Sequence, residues 1–155
     1  MLVQQSGMSE ADRAAFLSEY EAEHEGSLLG MCVLGGIFAE SIDLADERLI
    51  GAIIVGTGLP MINPESEIAR EYFNSRGEDG FLYAYLYPGM NKVMQAAGRV
   101  IRKETDRGII LLLDERFSYR QYRDTFPREW SDCRRTTVDR ARKMLEEFWG
   151  RDTNV

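Results

Sequence analysis

Apolar residues in this chain fall into short continuous runs, separated by stretches where they recur every three or four positions. Ser27 to Leu34, Leu49 to Val55 and Ile109 to Leu113 read as buried strands. The first run closes on Gly35-Gly36, the second on Gly56-Thr57-Gly58, and the third on Asp114. Leu2-Val3 is a stub of strand before a turn at Ser6-Gly7. Ser9, with Asp12 three positions on, predicts a capped helix whose Phe16, Leu17 and Tyr20 form one packing face. Asn63-Pro64 opens another helix running to about Phe73. Phe81, Tyr83, Tyr85 and Tyr87 alternate and predict an extended segment leading into a helix begun by Pro88. Those rings either pack at a sheet margin or stack on bases. Ser118 to Trp130 reads as irregular. A last helix begins near Thr136 and packs Val138, Ala141, Leu145 and Phe148. Continuous apolar runs separated by helical patterns predict a parallel α/β sheet with helices on both faces, in a single domain over residues 1–155.

The helix begun by Pro88 carries the most distinctive chemistry. Its periodicity puts Met90, Met94, Ala97 and Ile101 in an apolar row and Gln95, Arg99 and Arg102 on the other side. The same pattern extends the helix through Lys103-Glu104-Thr105 to a polar turn at Asp106-Arg107-Gly108. Two guanidiniums side by side on a core-packed helix suit the oxygens of a transferring phosphoryl group. They also suit an ordinary solvated or salt-bridged surface.

Charge sharpens this reading. The net charge is −7, which argues against a uniformly basic nucleic-acid binder. The distribution is uneven: Met1 to Ile50 holds ten acidic and two basic residues, and Pro88 to Val155 fifteen basic and eleven acidic. The basic excess lies in the half with the arginines, and phosphate binding needs a local patch rather than a basic average. The two cysteines stand apart, with Cys32 expected in the core and Cys133 in a loop. They cannot supply the four ligands of an iron–sulfur cluster, and a lone His24 supports no metal site. No apolar run reaches membrane-spanning length, and Ser9 to Glu25 is acidic and amphipathic rather than signal-like. A soluble, cytoplasmic chain with no membrane partner is expected.

Gln95, Gly98, Arg99 and Arg102 spell Q-x-x-G-R-x-x-R, followed by the buried run and Asp114-x-Arg116. This block resembles motif VI of superfamily 2 helicases, and the chain resembles the second RecA-like motor domain of an XPD/DinG-type DNA helicase. Gly35, Gly36, Glu40 and Asp43 resemble motif V, with Ser41 where that family usually has glycine. Gly56-Thr57-Gly58-Leu59-Pro60 resembles the loop after the family's next strand. The resemblance implies a three-layer RecA-like fold and a DNA-repair type of helicase. It implies catalytic roles for Arg99, Arg102 and Gln95 and nucleotide contacts for Gly98, Glu40 and Asp43. Glu40 and Asp43 alternatively brace the arginines, face the DNA track, or are helix-start carboxylates. Gly36 and Gly58 are the candidates for the single-stranded DNA track, and the glycines of the second loop alternatively serve the turn alone.

No G-x-x-x-x-G-K-[ST] occurs in the sequence, so the phosphate-cradling loop is absent. In the resembling family that loop lies on the first RecA-like domain, which binds most of the ATP and Mg2+ and receives the arginines across a cleft. That domain and single-stranded DNA are the expected partners. The family's second domain also starts with a strand and helix carrying motif IV, which would precede Leu2. The chain is thus expected to be a fragment lacking them, inactive alone and prone to self-association. Two rival readings are a catalytically inactive helicase-like interaction module and the trans-arginine domain of another P-loop ATPase.

Overall fold

The computed structural model describes residues 1–22, 25–38, 49–101, 103 and 105–150. Strand β1 (Leu2–Val3) is followed by helix α1 (Glu10–Glu21), β2 (Gly30–Met31), β3 (Gly51–Val55), α2 (Pro64–Ser75), a π-helical segment (Leu82–Leu86) and α3 (Tyr87–Ala97). Strand β4 (Ile109–Leu113), a 3-10 turn (Glu115–Ser118), α4 (Arg120–Arg123), a second 3-10 turn (Arg128–Trp130) and α5 (Val138–Gly150) complete the order. The fold is mixed α/β with parallel strand pairing, as the sequence implied.

Pairing among the described residues is β1 with β2, and β3 with β4, both parallel. β3 and β4 match the predicted runs closely. The first predicted strand is corrected: of Ser27–Leu34, only Gly30–Met31 pairs. Leu29, Met31 and Val33 are exposed at 53%, 54% and 60%, so alternate side chains of this segment lack cover. Cys32, expected in the core, is exposed on the same segment.

Local sequence chemistry sets the helix starts. Ser9 Oγ accepts from Asp12 N–H at 3.2 Å, and Asp12 Oδ2 accepts from Ser9 N–H at 2.9 Å, a complete capping box. Asn63 Oδ1 accepts from Ser66 N–H at 2.8 Å, with Pro64 in the first turn. The Phe81–Tyr87 segment differs from expectation: it is helical, not extended. Rings two apart in sequence are also rings four apart on alternate members. Phe81 stacks on Tyr85 with centroids 5.8 Å apart, and Tyr83 meets Tyr87 edge-on at 5.3 Å. The wide π turn brings Ala84, Tyr85 and Leu86 all inside. Tyr85 donates to the Glu67 carboxylate, and Phe73 stacks on Tyr83 at 4.3 Å, which fixes this segment against α2.

The core gathers Ile54 of β3, Leu86 at the end of the π-helical segment, Met90, Val93 and Ala97 along α3, and Phe117 and Tyr122 beyond β4. Leu34, Ile110, Leu112, Phe126 and Trp130 pack against it. α3 is the central element, and its N-terminus approaches the loop after β3 so closely that one residue must lack a side chain. A Cβ on Gly89 would lie 2.7 Å from Thr57 O and 2.9 Å from Leu59 N.

Candidate functional site

The turn after β2 is built from β1. Gln4 N–H donates to Met31 O at 2.8 Å, and Gln4 Oε1 accepts from Val33 N–H at 2.8 Å. The chain then reverses: Gly36 N–H donates to Val33 O at 2.9 Å, with Gly35 at φ 74°. That φ is left-handed and favours glycine. A Cβ on Gly35 would sit 2.8 Å from Lys92 Cδ and 3.1 Å from Cε. The alkyl stem of Lys92 therefore lies across the turn, which joins the glycine loop to α3.

Along α3, Gln95 follows Lys92 by three residues and is exposed, and Arg99 follows by seven and is half-buried. The predicted continuation of the helix is corrected: α3 ends at Ala97. Gly98 N–H still reaches Met94 O at 2.8 Å, but Arg99 N–H bonds Ala96 O at 3.3 Å and Val100 N–H bonds Ala97 O at 3.0 Å. The last turn tightens to i→i−3 spacing. This tightening turns Val100 inward at 4% exposure and leaves Ile101 46% exposed, so Val100 replaces Ile101 in the buried row. Gly98 is exposed at the start of this turn. The Gly35–Gly36 turn meets α3 at Lys92, while Gln95 lies about one helical turn further on and Arg99 lies in the tightened turn beyond Ala97. Arg102, Glu40 and Asp43 lie outside the described residues.

The second loop backs onto the other end of α3. Gly56, at φ 85°, donates its N–H to Leu113 O at 3.2 Å. Gly58 has φ 65°, and a Cβ there would meet Gly89 O at 2.8 Å. This glycine serves the turn and the close approach to α3, whatever else its loop contacts.

At the carboxyl end of β4, Asp114 and Arg116 form a two-pronged pair, with Nε–Oδ1 2.8 Å and a terminal guanidinium nitrogen 2.7 Å from Oδ2. Asp114 Oδ1 also accepts from Arg116 N–H at 2.9 Å. Hydrogen bonding from the Arg116 side chain holds the Asp114 carboxyl below its ordinary range, and the carboxylate pushes the Arg116 guanidinium upward in turn. Among the described residues no three His, Cys, Asp or Glu side chains form a metal-holding group, and no helix is long and apolar enough to cross a membrane.

Two contacts near the candidate residues are not written in the sequence. Lys92 sits three residues before Gln95 on the same stripe, a spacing visible in the sequence. Its contact with Gly35 was not visible. The Asp114–Arg116 spacing was noted as a mark of resemblance, without the ion pair that the backbone turn makes possible.

The model for the helicase C-terminal domain family matches residues 1–133. The ATP-dependent DNA helicase DinG of Photobacterium profundum is 37% identical over 89 residues, covering 56% of this chain and 13% of that protein. A probable ATP-dependent helicase of Methanocaldococcus jannaschii is 33% identical over 98 residues, covering 57% of this chain and 15% of its own length. The general transcription and DNA repair factor IIH helicase subunit XPD of Dictyostelium discoideum is 30% identical over 129 residues, covering 77% and 16%. The chain therefore spans well under a fifth of the length of these relatives.

Proposed function

The chain belongs to the helicase C-terminal domain family, and from that membership we propose that it is the second motor domain of a larger ATP-dependent DNA helicase. The observation that carries this reading is the exposed Gln95 and the half-buried Arg99 at the end of the core-packed α3. Arginines fixed at a domain surface suit stabilisation of charge on ATP bound by a separate domain. Arg99 and Arg102 act as fingers with Gln95 beside them at the transferring phosphoryl group, and Gly98 is a nucleotide contact. Glu40 and Asp43 join the nucleotide side of the same cleft. ATP and Mg2+ are held mainly by the first RecA-like domain, which has the phosphate-cradling loop that this sequence lacks.

Single-stranded DNA runs past the glycine turns at Gly36 and Gly58. Closure of the two motor domains on ATP, and reopening after hydrolysis, moves them along the strand. A protein of this kind acts in DNA repair or a related process and works in the cytoplasm. By itself the 155-residue chain is inactive, because it holds the finger side of the site alone. The test is ATP hydrolysis by the purified chain, with and without single-stranded DNA. The reading expects no turnover above buffer from the chain and DNA-stimulated turnover from the full-length protein. DNA-stimulated hydrolysis by the chain alone contradicts the division of labour.

A further inference from the structure

We propose that Lys92 is a phosphate contact for the backbone of the bound single strand, held in place by the Gly35–Gly36 turn. The proposal rests on the helicase reading and adds to it a residue with a role separate from that of the arginines.

Two of the turn's donors are engaged in holding its shape: Gly36 N–H bonds Val33 O, and Val33 N–H bonds the Gln4 side chain. A backbone turn carries no full positive charge of its own, so a charged contact for a passing phosphate comes from a side chain beside it. Lys92 is the cation laid across the turn. Its stem packs where Gly35 lacks a Cβ, with Cγ, Cδ and Cε all within 3.3 Å of the position a Cβ would take. Lysine stems that pack on a protein surface characteristically keep their ammonium in water, and Lys92 is half-buried as a whole. The packing also restricts the stem before any ligand arrives, which lowers the entropy lost on binding. Gly35, with φ 74°, is thereby a positioning residue for Lys92.

Position separates the two roles. Lys92 lies within α3 against the glycine turn, and Arg99 lies seven residues on, in the tightened turn beyond the end of α3. The two cations therefore leave the backbone at different places, and each can meet its own phosphate. Lys92 should set affinity for the strand, and Arg99 should set turnover.

The experiment uses the full-length helicase and a labelled oligo-dT strand, with affinity measured across a salt series. A lysine neutralising one phosphate of a single strand contributes about 0.7 to the slope of log affinity against log salt. Lys92→Gln is expected to lose about that much slope and to weaken binding several-fold at low salt, with ATP turnover at saturating DNA unchanged. Lys92→Arg should keep the slope. Lys92→Met keeps the packed stem without the charge and should reproduce the Gln result, which covers the case of a poorly folded Gln variant. Gly35→Ala, which pushes the stem aside, should shift binding in the same direction. An unchanged slope in both neutral variants overturns the proposal, as does a loss confined to turnover at saturating DNA. A wild-type enzyme that neither binds the strand nor is stimulated by it overturns the helicase reading and the proposal with it.

Discussion

Replacing Gly89 by alanine tests whether the close approach of α3 to the loop after β3 positions the site. The added Cβ would lie 2.7 Å from Thr57 O, 2.9 Å from Leu59 N and 3.0 Å from Leu59 Cα. All three are backbone atoms, so no side chain can rotate away and α3 must shift by a few tenths of an ångström. Overpacking of this kind costs about 1–3 kcal/mol. Against it stands the gain from replacing glycine by alanine inside a helix, about 1 kcal/mol. With three backbone contacts at or under 3.0 Å the clash should win, leaving a net loss of up to about 2 kcal/mol. With a urea dependence of about 2 kcal/mol per molar, the unfolding midpoint should fall by up to about 1 M. The assay is urea unfolding followed by circular dichroism on the purified chain. Because α3 carries Gln95 and leads into Arg99, the same variant should slow ATP turnover in the full-length enzyme. A midpoint that rises would show that helix propensity outweighs the contact and that α3 is free to move.

Three further outcomes follow from particular contacts. Asp114→Asn removes the two-pronged pair with Arg116. The carboxyl is held low in the folded state, so its contribution is complete above the unfolded carboxylate range and lost as pH falls through the folded value. The variant should be less stable than wild type by about 1 kcal/mol at neutral pH, discounted because the Arg116 side chain is 39% exposed. The difference should close below about pH 4, and a gap that widens in acid would refute it. Arg107→Ala should loosen α5, whose carbonyl at Phe148 accepts from Arg107 and whose Phe148 ring lies 4.4 Å beneath the guanidinium. No residue of α5 is fully buried, and a cavity of about 590 Å3 separates it from β4. Hydrogen exchange in α5 should accelerate about tenfold, with Ile109–Leu113 unchanged, and equal rates in α5 would show that Arg107 does not hold it. Tyr85→Phe, which removes the donor to Glu67, should destabilise the chain by about 1 kcal/mol in thermal unfolding, and an unchanged midpoint would show that bond to be dispensable.

Features governed by neighbours in sequence were legible without the structure. The Ser9–Asp12 box, the Asn63 cap and the Ile109–Leu113 strand depend on short-range hydrogen bonding or on a continuous apolar run. Where two periodicities coincide, the pattern misled. Phe81, Tyr83, Tyr85 and Tyr87 alternate like a strand, yet the pairs four apart stack on a helix. Extending the α3 repeat past Ala97 failed for a different reason. The turn tightens at Arg99, and one residue of shift exchanges Val100 for Ile101. Cys32 sits in an apolar run, but its burial depends on a covering layer that a one-dimensional pattern cannot register. Gln95, Gly98 and Arg99 could be named as candidates because their spacing is local in the sequence. The contact of Lys92 with Gly35 was not legible, because the two are distant in sequence and adjacent in space.

The central claim is that Arg99 acts on the transferring phosphoryl group rather than on DNA. Arg99→Ala in the full-length enzyme, with ATP turnover and single-strand affinity measured on the same preparation, tests it most directly. Removing a finger should lower turnover by about a hundredfold or more, with strand affinity changed less than about threefold. Arg99→Lys should not restore turnover, since a point charge lacks the planar fork of a guanidinium. Lost strand binding with turnover intact would contradict the account.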